Sequence, residues 1–398
     1  MMWILAASYT LMTGLLVVTW RYRRFLARSA ARIPSSYTPK AALFVPVPGL
    51  AAAEVDDLEV LFAQDYPDYE ILFGVLTRRD PAYDRLIALC ERHRGRARVV
   101  PSGPSTTCSD KVQNLLACYE ACHHETEILV LMDADLVPDP ALLRRLVGPL
   151  IEPRVGAVTA HRWLSSDSRS FAGTLAGMAN AAALVSIWLF SRVCGGVLAI
   201  RRDAFEWLDV PAKWGKAMSE DITICSLLVE KGLRIVQAES GLVLSRRRHR
   251  WSTYWSDIVS QLVLARVYAP RLWWQLFGFY LLTVPTVAYG LAKALGRLTG
   301  SALSTLDLGA LLLSVVFMLQ GWLVIDGAQR LFTRRGESVR AIPLALIPAY
   351  PLAMAIGTLQ LLVSAGRNSI SVDGVRYRLD AHDRTAVARD PFNATSGP

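Results

Sequence analysis

Four long apolar segments enclose one polar block, and this arrangement restricts the possible folds more than any other feature of the sequence. Met2–Trp20 is nearly free of charge, and three further apolar segments cover about Leu272–Leu295, Leu306–Ile325 and Ile342–Ala365. An apolar helix of ~20 residues is long enough to cross a bilayer. We therefore predict membrane helices on both sides of a separate folded domain over about 41–250.

Basic residues beside these segments predict their orientation. Arg21–Arg24 follows the first segment, whereas a secretory signal peptide carries its basic residues before the apolar stretch, so Met2–Trp20 is interpreted as a retained anchor. A second basic stretch, Arg330–Arg335, precedes the last segment. Because Lys and Arg favour the cytoplasmic side of a membrane, both stretches predict that the polar block is cytoplasmic.

The number of membrane crossings stays open. Three full crossings after a cytoplasmic domain would place the basic C-terminal tail on the opposite side. Pro343, Pro348 and Pro351 allow the last segment to be broken or re-entrant, which is tolerated where protein covers the loosened backbone. We predict a multi-pass protein without fixing the span count.

Composition agrees with a membrane protein. The 398 residues are 53% hydrophobic and carry a net charge of +9. The basic residues lie mostly beside the apolar segments, so attraction to anionic lipid headgroups explains the charge better than nucleic-acid binding does. The six cysteines form no zinc-binding pattern and are interpreted as reduced thiols.

The polar block alternates strand and helix patterns. Short apolar runs bounded by turn residues alternate with stretches of helical spacing, which predicts an α/β domain with a mainly parallel sheet. The predicted strands are Ala41–Val47, Tyr69–Val75, Ala97–Val100 and Ile128–Met132, and the predicted helices are Val55–Gln64, Pro81–His93 and Val112–His123.

Polar side chains follow the ends of these strands. Asp133 and Asp135 come directly after an apolar strand, and residues two apart in a strand share a face. Their oxygens are hard ligands suited to Mg²⁺ or Mn²⁺ beside a diphosphate. Asp80 and Lys111 also follow predicted strands, at the edge where open α/β sheets bind nucleotides. The pattern predicts transfer from a nucleotide-activated donor; the alternative is that Asp-x-Asp merely opens a turn.

The order of motifs along the chain carries a family resemblance. The motifs are Asp65–Glu70 for D-Y-P-x-Y-E, Asp80-Pro81 for D-P, Ser109–Leu115 for N-P-K-x-x-N-L, Asp133–Asp135 for D-x-D, Glu220-Asp221 for E-D, Lys231–Arg234 for K/R-G-x-R and Ile370–Leu379 for the C-terminal tail. With these motifs in this order, the chain resembles the membrane-bound, inverting glycosyltransferases of the GT-A fold, and within them the ceramide glucosyltransferase-like group, which includes hopanoid-lipid glycosyltransferases.

The resemblance implies roles for the donor-side residues. Asp80 would contact the uridine of a UDP-sugar, and Lys111 would neutralise a donor phosphate. Asp133 and Asp135 would bind Mg²⁺ or Mn²⁺, with Asp133 also on the donor side. An ordinary solvated lysine at a helix start is the alternative for Lys111.

The resemblance also implies residues on the acceptor side. Asp221 would be the general base on the acceptor hydroxyl, with Glu220 as the alternative base. Both carboxylates would otherwise simply complement the positive end of a helix. The Gly195-Gly196 step resembles the family strand that leads to the acceptor site, and a β-bulge is its alternative.

One motif departs from the family pattern. Arg247, Arg250 and Trp251 fit the letters of an interfacial Q/R-x-x-R-W motif, but they follow Asp221 too closely for the family spacing. Either the motif has moved, or the stretch is a basic stop at headgroup level. The following residues keep apolar positions at helical spacing, which suits a helix lying in the membrane interface.

These observations predict an α/β GT-A (Rossmann-like) domain with transmembrane helices. We expect transfer of a sugar from a UDP-sugar to a membrane-lipid hydroxyl with inversion, glucose to a ceramide-like lipid first. N-acetylglucosamine transfer to a hopanoid or other polyprenoid-derived lipid is the alternative, and a non-catalytic lipid- or partner-binding relative is the alternative of another class. The predicted regions are an anchor (1–24), a cytoplasmic catalytic domain (25–250), an interfacial helix (251–268), a transmembrane region (269–366) and a tail (367–398).

Overall fold

A computed structural model describes most of the chain, and the chain forms two compact units. The described residues are 2–27, 36–47, 51–164, 171–189, 196–246, 251–298, 300, 302–337, 339, 342, 344–372, 375–379 and 387–389. The sheet unit comprises Ser29–Trp163, Ser191–Arg246 and Asn368–Pro398. The helical unit comprises Met1–Arg28, Leu164–Phe190 and Arg247–Arg367.

The sheet unit alternates strands and helices as predicted. Its strands are β1 (Ala41–Pro46), β2 (Tyr69–Val75), β3 (Ala97–Pro101), β4 (Ile128–Met132), β5 (Leu136–Val137), β6 (Val155–Leu164), β7 (Val197–Arg201), β8 (Arg234–Ser245), β9 (Ser369–Val372), β10 (Val375–Leu379) and β11 (Val387–Arg389). Its α-helices, numbered along the whole chain, are α2 (Tyr83–Arg92), α3 (Asp110–Ala121), α4 (Leu142–Val147), α6 (Arg202–Trp207), α7 (Val210–Trp214) and α8 (Glu220–Glu230). The predicted helix Val55–Gln64 is a 3₁₀ helix, Ala52–Ala63.

The first eight strands form one mixed sheet in the order β3-β2-β1-β4-β7-β6-β8-β5. β3, β2, β1 and β4 are parallel neighbours, and β7 then pairs antiparallel with β4. The strand order reverses at β1, which lies between β2 and β4 although it precedes both. Such a reversal opens a crevice at the carboxyl ends of the strands, where open α/β sheets bind ligands. The sheet therefore has its binding edge at the ends of β1 and β4.

The central strands are buried on both faces, as their uninterrupted apolar sequences require. Leu43 and Val130 pack into one hydrophobic core, whereas their neighbours Phe44 and Leu131 pack into the core on the opposite face. Helices cover both faces of parallel sheets, so their strands are apolar throughout rather than alternating. The α/β prediction is confirmed.

A second, three-stranded antiparallel sheet is built from the C-terminal residues, in the order β11-β10-β9. Tyr377 in β10 is 2% exposed, and its hydroxyl accepts the backbone N–H of Asp110 at 3.4 Å. Asp110 is the first residue of α3, where helix N–H groups lack partners within the helix. The tail of the chain thus caps the helix that carries Lys111.

The helical unit contains three described helices that are long and apolar enough to cross a membrane. They cover Pro270–Arg297, Thr305–Arg334 and Ile347–Ala365, close to the three predicted C-terminal segments. The helices of this unit are α1 (Met2–Ala27), α5 (Phe171–Leu189), α9 (Trp251–Tyr268), α10 (Pro270–Leu298), α11 (Thr305–Arg334) and α12 (Tyr350–Ala365). The proline-rich start of the last segment is a 3₁₀ helix, Leu344–Ala349.

Leucines and a valine of α11 form an exposed apolar stripe. Leu308, Leu312, Val315 and Leu319 are each more than 40% exposed, and their spacing of three to four residues puts them on one face. A contiguous exposed apolar face of this kind is typical of a surface that contacts lipid or another protein. Together with the three apolar helices, it indicates that the protein associates with a membrane.

Helix α5 is an element that the sequence analysis does not single out. It falls inside the range 25–250 predicted as the catalytic domain, yet it belongs to the helical unit. Trp188 of α5 packs on Tyr22 of α1 with ring centroids 5.6 Å apart. The helix lies between two strands of the sheet, where a helix of the domain core is expected. An apolar helix of the helical unit has the same composition as such a core helix, so the sequence does not distinguish them.

Candidate active site

Asp133 lies at the reversal point of the sheet, immediately after β4. Met132 is paired with Val197 of the antiparallel strand β7, and the backbone N–H of Asp133 donates to Gly196 O at 2.8 Å. Gly196 has a φ of +131°, a conformation that side-chain-bearing residues rarely adopt. The glycine therefore permits the turn that brings the start of β7 against the aspartate.

Lys111 projects from the first turn of α3 to the same place. The Ser109 hydroxyl caps the helix by accepting the Val112 N–H, which fixes where the lysine side chain leaves the backbone. Lys111 Nζ lies 2.7 Å from Asp133 Oδ1 and 2.5 Å from Glu220 Oε1. One ammonium group thus joins two carboxylates from separate elements.

Arg162 of β6 contacts both members of the Asp-x-Asp pair. Its Nη2 donates to Asp133 Oδ2 and lies 3.4 Å from Asp135 Oδ1. Asp135 also accepts the Ser245 hydroxyl at 2.5 Å. The two aspartates therefore contact a common guanidinium. They lie in the turn after β4, so strand alternation is not what brings them together.

Glu220 and Asp221 begin α8. Glu220 is 6% exposed, and its backbone carbonyl accepts the indole N–H of Trp214 at 3.3 Å. Asp221 is half-buried, and its Oδ1 accepts the Ser219 hydroxyl and the Ile222 N–H. Adjacent residues of a helix point in different directions, so one carboxylate pairs with Lys111 while its neighbour keeps an oxygen available.

Burial and ion pairing set the charges of this cluster. Burial disfavours the Lys111 ammonium, but Asp133 and Glu220 outweigh it and raise the lysine pKa. Burial likewise opposes the charged form of Asp133, but Lys111 and Arg162 lower its pKa below the ordinary value. Burial raises the pKa of Glu220, and the neighbouring carboxylates of Asp221 and Asp133 add to the effect although Lys111 opposes it. Lys111 is therefore cationic and Asp133 anionic at neutral pH.

His161, the residue before Arg162, is buried in the sheet. It is 2% exposed, and burial lowers its pKa to about 4. The imidazole is neutral at physiological pH and adds no charge to the cluster.

A narrow cleft opens above these groups. It is lined by Pro46, Lys111, Leu115, Leu131, Met132, Asp133, Gly196, Val197, Leu198, Glu220 and Asp221. Its floor is formed by the carboxyl end of β1 and β4, its sides by α3 and α8. The cleft thus coincides with the crevice that the sheet topology predicts.

The carboxylates fit a divalent cation by chemistry and by charge. Asp133 and Asp135 supply hard oxygen ligands directed at one point. With Glu220 and Asp221, the cluster has four carboxylates and only two cationic side chains, Lys111 and Arg162. Among the residues that the structure describes, no three His, Cys, Asp or Glu side chains are placed so that together they could hold one metal ion. A cation bound by Asp133 and Asp135 would take its other ligands from water and a substrate phosphate, as is usual for Mg²⁺.

The comparison with protein families decides the class of this site. The model of Glycosyl transferase family 21 matches residues 2–306, more than half of the chain. The chain belongs to glycosyl transferase family 21. It is a glycosyltransferase of the GT-A fold, which confirms the predicted fold class and, of the predicted enzyme class, that the protein transfers a sugar.

Two solved structures are similar to this family 21 glycosyltransferase. A mannosyltransferase from Pyrobaculum calidifontis, solved with GDP-mannose and Mn²⁺, is 17% identical, covering 89% of this chain and 98% of that one with a TM-score of 0.47. Glucosyl-3-phosphoglycerate synthase from Mycobacterium tuberculosis, solved with Mn²⁺ and UDP-glucose, is 18% identical, covering 59% and 83% with a TM-score of 0.38.

The other predicted site residues of the family 21 enzyme have different outcomes. Asp80 follows β2 and its Oδ1 accepts the Ala82 N–H at 3.0 Å, so it forms the turn before α2. It lies on the carboxyl edge of the sheet but does not line the cleft. Gly195, Arg247 and Arg250 lie outside the described residues, and Trp251 is described only as the first residue of α9.

Sequence reasoning missed Arg162 in this glycosyltransferase. The residue is the eighth of the ten residues of β6, in a run that matches no quoted motif. A basic residue in the largely apolar run Val155–Leu164 was the available signal, because charges in buried segments are normally paired.

Proposed function

We propose that this family 21 enzyme transfers a sugar from a UDP-sugar to the hydroxyl of a membrane lipid, with inversion at the anomeric carbon. The observation that carries the proposal is the convergence of Lys111, Asp133, Glu220 and Asp221 on one cleft at the reversal point of the sheet. We propose glucose and a ceramide-like lipid as the first pair of substrates, on the strength of the motifs.

Lys111, Asp133 and Asp135 form the donor side in this proposal. The leaving UDP carries negative charge that grows as the glycosidic bond breaks, and a cation bound by Asp133 and Asp135 would neutralise it. Lys111 is cationic and lines the cleft, so we propose that its ammonium contacts a donor phosphate. Arg162 adds a second fixed positive charge beside the pair. Asp80, at the end of β2, is proposed to contact the uridine.

Asp221 is the proposed general base. Inversion requires a base on the side opposite the leaving group, and a carboxylate within reach of the acceptor hydroxyl meets this need. The acceptor oxygen forms a bond to the anomeric carbon, the bond to the diphosphate oxygen breaks, and the hydroxyl proton passes to Asp221. Glu220 is the weaker candidate because Lys111 binds its carboxylate. The Ser219 hydroxyl orients Asp221 through Oδ1 and leaves Oδ2 for the acceptor.

The acceptor is proposed to be a lipid because the same chain carries apolar helices beside the catalytic sequence. An acceptor that never leaves the bilayer requires an enzyme that associates with the membrane, and the exposed apolar stripe on α11 supports that association. We propose a cytoplasmic active site from the basic residues near the C-terminal ends of α1 and α11. α9, Trp251–Tyr268, is the proposed interfacial helix.

N-acetylglucosaminyl transfer to a hopanoid or another polyprenoid-derived lipid is the nearest alternative. It uses the same donor side and differs only in the sugar and acceptor pockets. A non-catalytic lipid-binding relative is the alternative of another class. The ion pairs of Lys111 with Asp133 and Glu220 argue against it, because a protein that no longer catalyses transfer would not need to keep a lysine between two carboxylates.

The test is a product assay with the full chain in detergent. The protein is incubated with a panel of UDP-sugars, Mg²⁺ or Mn²⁺ and a total lipid extract, and new glycolipids are sought by mass spectrometry. The expected result is one glycolipid that appears with the wild type and not with Asp221→Asn. UDP release without a glycolipid contradicts the lipid acceptor, and absence of both product and UDP release supports the non-catalytic alternative.

A further inference from the structure

A cavity of about 300 Å³ lies in the helical unit, between the C-terminal ends of α1 and α11. Trp20, Arg23 and Arg24 line it from α1, and Arg330 and Arg334 line it from α11. Four arginines around one cavity are unusual, since isolated cationic groups repel one another and are normally spread over a surface. The chain has brought them together from positions about three hundred residues apart in sequence.

Close packing of the two helices forms the cavity. α1 and α11 run in parallel, because Arg23 near the end of α1 pairs with Asp326 near the end of α11. Gly327 permits this approach: a β-carbon there would lie 3.1 Å from Arg23 Cγ. Both basic stretches therefore lie at the same end of the helix pair, which is the geometry that orientation by basic residues requires.

One carboxylate, Asp326, pairs with two of the four guanidiniums. Asp326 accepts from Arg23 and, at 2.9 Å, from Arg330. Arg24 stacks over the Trp20 ring at 4.3 Å, and within the part of the chain that the structure describes no carboxylate pairs with Arg24 or Arg334. The cavity consequently has a net positive charge and two guanidiniums with donors to spare.

We propose that this cavity binds the phosphate group of an anionic lipid headgroup. Guanidinium donors match phosphate oxygens in a two-pronged geometry that ammonium groups do not provide. The C-terminal ends of α1 and α11 each carry about half a negative charge, and the positive charge of the four guanidiniums is larger than the sum of the two. The cavity also lies at the ends of long apolar helices, beside a half-exposed tryptophan, and basic pockets between membrane helices at that level bind phosphorylated headgroups.

This site is distinct from the donor site. All its residues belong to the helical unit, and all residues of the charged cluster around Lys111 belong to the sheet unit. The inference rests on the membrane association proposed above and not on the identity of the sugar or acceptor.

A matched control variant is available on α10. α10 runs antiparallel to α11, with Gly290 against Ala310, so Arg271 lies at about the same level as Arg330. Arg271 does not line the cavity. Arg271→Gln thus removes one positive charge at the same depth without touching the site, and it is matched to each single substitution of the double variant.

The experiment measures retention of phosphatidylglycerol and phosphatidylcholine by the full chain in a neutral detergent, using native mass spectrometry. We expect the wild type to retain phosphatidylglycerol preferentially, the double variant Arg24→Gln/Arg334→Gln to bind it at least ~10-fold more weakly, and Arg271→Gln to match the wild type. Arg24 and Arg334 have no described carboxylate partner, so the double variant should melt at the wild-type temperature. Arg271→Gln should also melt at the wild-type temperature.

Two further arms complete the test. Displacement of phosphatidylglycerol by millimolar inorganic phosphate would assign the site to free phosphate, whereas resistance to it would assign the site to the lipid. Equal retention of both lipids by the wild type, equal loss in Arg271→Gln, or full retention by the double variant would each overturn the proposal.

Discussion

Lys111 Nζ lies 2.5 Å from Glu220 Oε1, so the first turn of α3 and the first turn of α8 are joined by an ion pair. This pair assigns different tasks to the two neighbouring carboxylates at the start of α8. Glu220 is buried and bound to the lysine, whereas Asp221 lines the same cleft and accepts from the Ser219 hydroxyl and from the Ile222 N–H of its own helix.

Asp221→Asn is therefore expected to abolish transfer and leave donor binding nearly intact. Loss of a general base lowers the rate by ~10²–10⁴-fold. Glu220→Gln should keep measurable transfer and melt at a lower temperature, because Lys111 loses a buried partner. The measurements are the initial rate of glycolipid formation, UDP-sugar affinity by calorimetry, and thermal melting. Asp84→Asn, another first-turn helix carboxylate, is the control; an Asp221→Asn enzyme as active as this control would refute the assignment.

Asp133→Asn and Asp135→Asn are expected to weaken cation-dependent donor binding. Each removes one of two hard ligands directed at a common point, and the remaining carboxylate alone binds Mn²⁺ poorly. Calorimetric UDP affinity should depend on added Mn²⁺ in the wild type and lose that dependence in both variants. Asp65→Asn, an exposed carboxylate paired with Arg144, should behave like the wild type. Mn²⁺-dependent affinity that survives in both variants would remove the pair from the site.

Arg162→Gln is expected to affect the cation and the donor in opposite directions. The guanidinium lies between Asp133 and Asp135, so its removal should strengthen Mn²⁺ binding without nucleotide, by about tenfold, or ~1.4 kcal/mol. UDP-sugar affinity should fall, since a positive charge near the diphosphate is lost. Electron paramagnetic resonance of free Mn²⁺ measures the first effect and calorimetry the second. Arg85→Gln, an exposed arginine of α2, is the control; unchanged Mn²⁺ affinity in Arg162→Gln would contradict the prediction.

His161 should make the protein less stable as the pH falls. Its folded-state pKa of about 4 lies below the ordinary 6.5, so the unfolded chain binds the additional proton first. The stability that the neutral, buried imidazole allows is fully present above pH 6.5. As the pH falls towards 4, the free energy of unfolding decreases progressively, by about 3 kcal/mol in total.

The measurement for His161 is the melting temperature of the full chain in detergent between pH 7 and pH 5. His161→Gln should show a smaller decrease than the wild type, because glutamine does not titrate. His124→Gln, an exposed histidine, should keep the wild-type slope. Parallel curves for all three proteins would show that His161 does not titrate as proposed.

Most of the fold was accessible from sequence because its signals are local. Apolar runs such as Ile128–Met132 and turn residues at their ends predict strands. The three C-terminal apolar segments match the apolar helices to within about five residues, except that the helix Thr305–Arg334 continues beyond the predicted end at Ile325. Helix α5 was not predicted, although Asp167 and Arg169 before it and Arg192 after it delimit an apolar stretch, because an apolar stretch of this kind between two strands also fits a buried helix of the domain core.

The candidate site was only partly accessible. Lys111, Asp133 and Glu220 were selected because each falls at the end of an element and in a recognisable motif. Arg162 was not, since its function depends on a pairing between β6 and β7 that brings it beside Asp133. Long-range strand order is not encoded in any local run of residues, so the partner of the Asp-x-Asp pair required the structure.

The Tyr377 hydroxyl on the Asp110 amide has a consequence for biosynthesis. The chain emerges from the ribosome N-terminus first, and domains begin to fold as they emerge. Tyr377 is made after the last apolar helix, so the cap on the Lys111 helix forms only when that helix has already been synthesised. A ribosome that stalls before β10, or a gene truncated there, yields a chain with every carboxylate of the Lys111 cluster, in which α3 keeps its Ser109 cap but lacks the Tyr377 hydroxyl on the Asp110 amide.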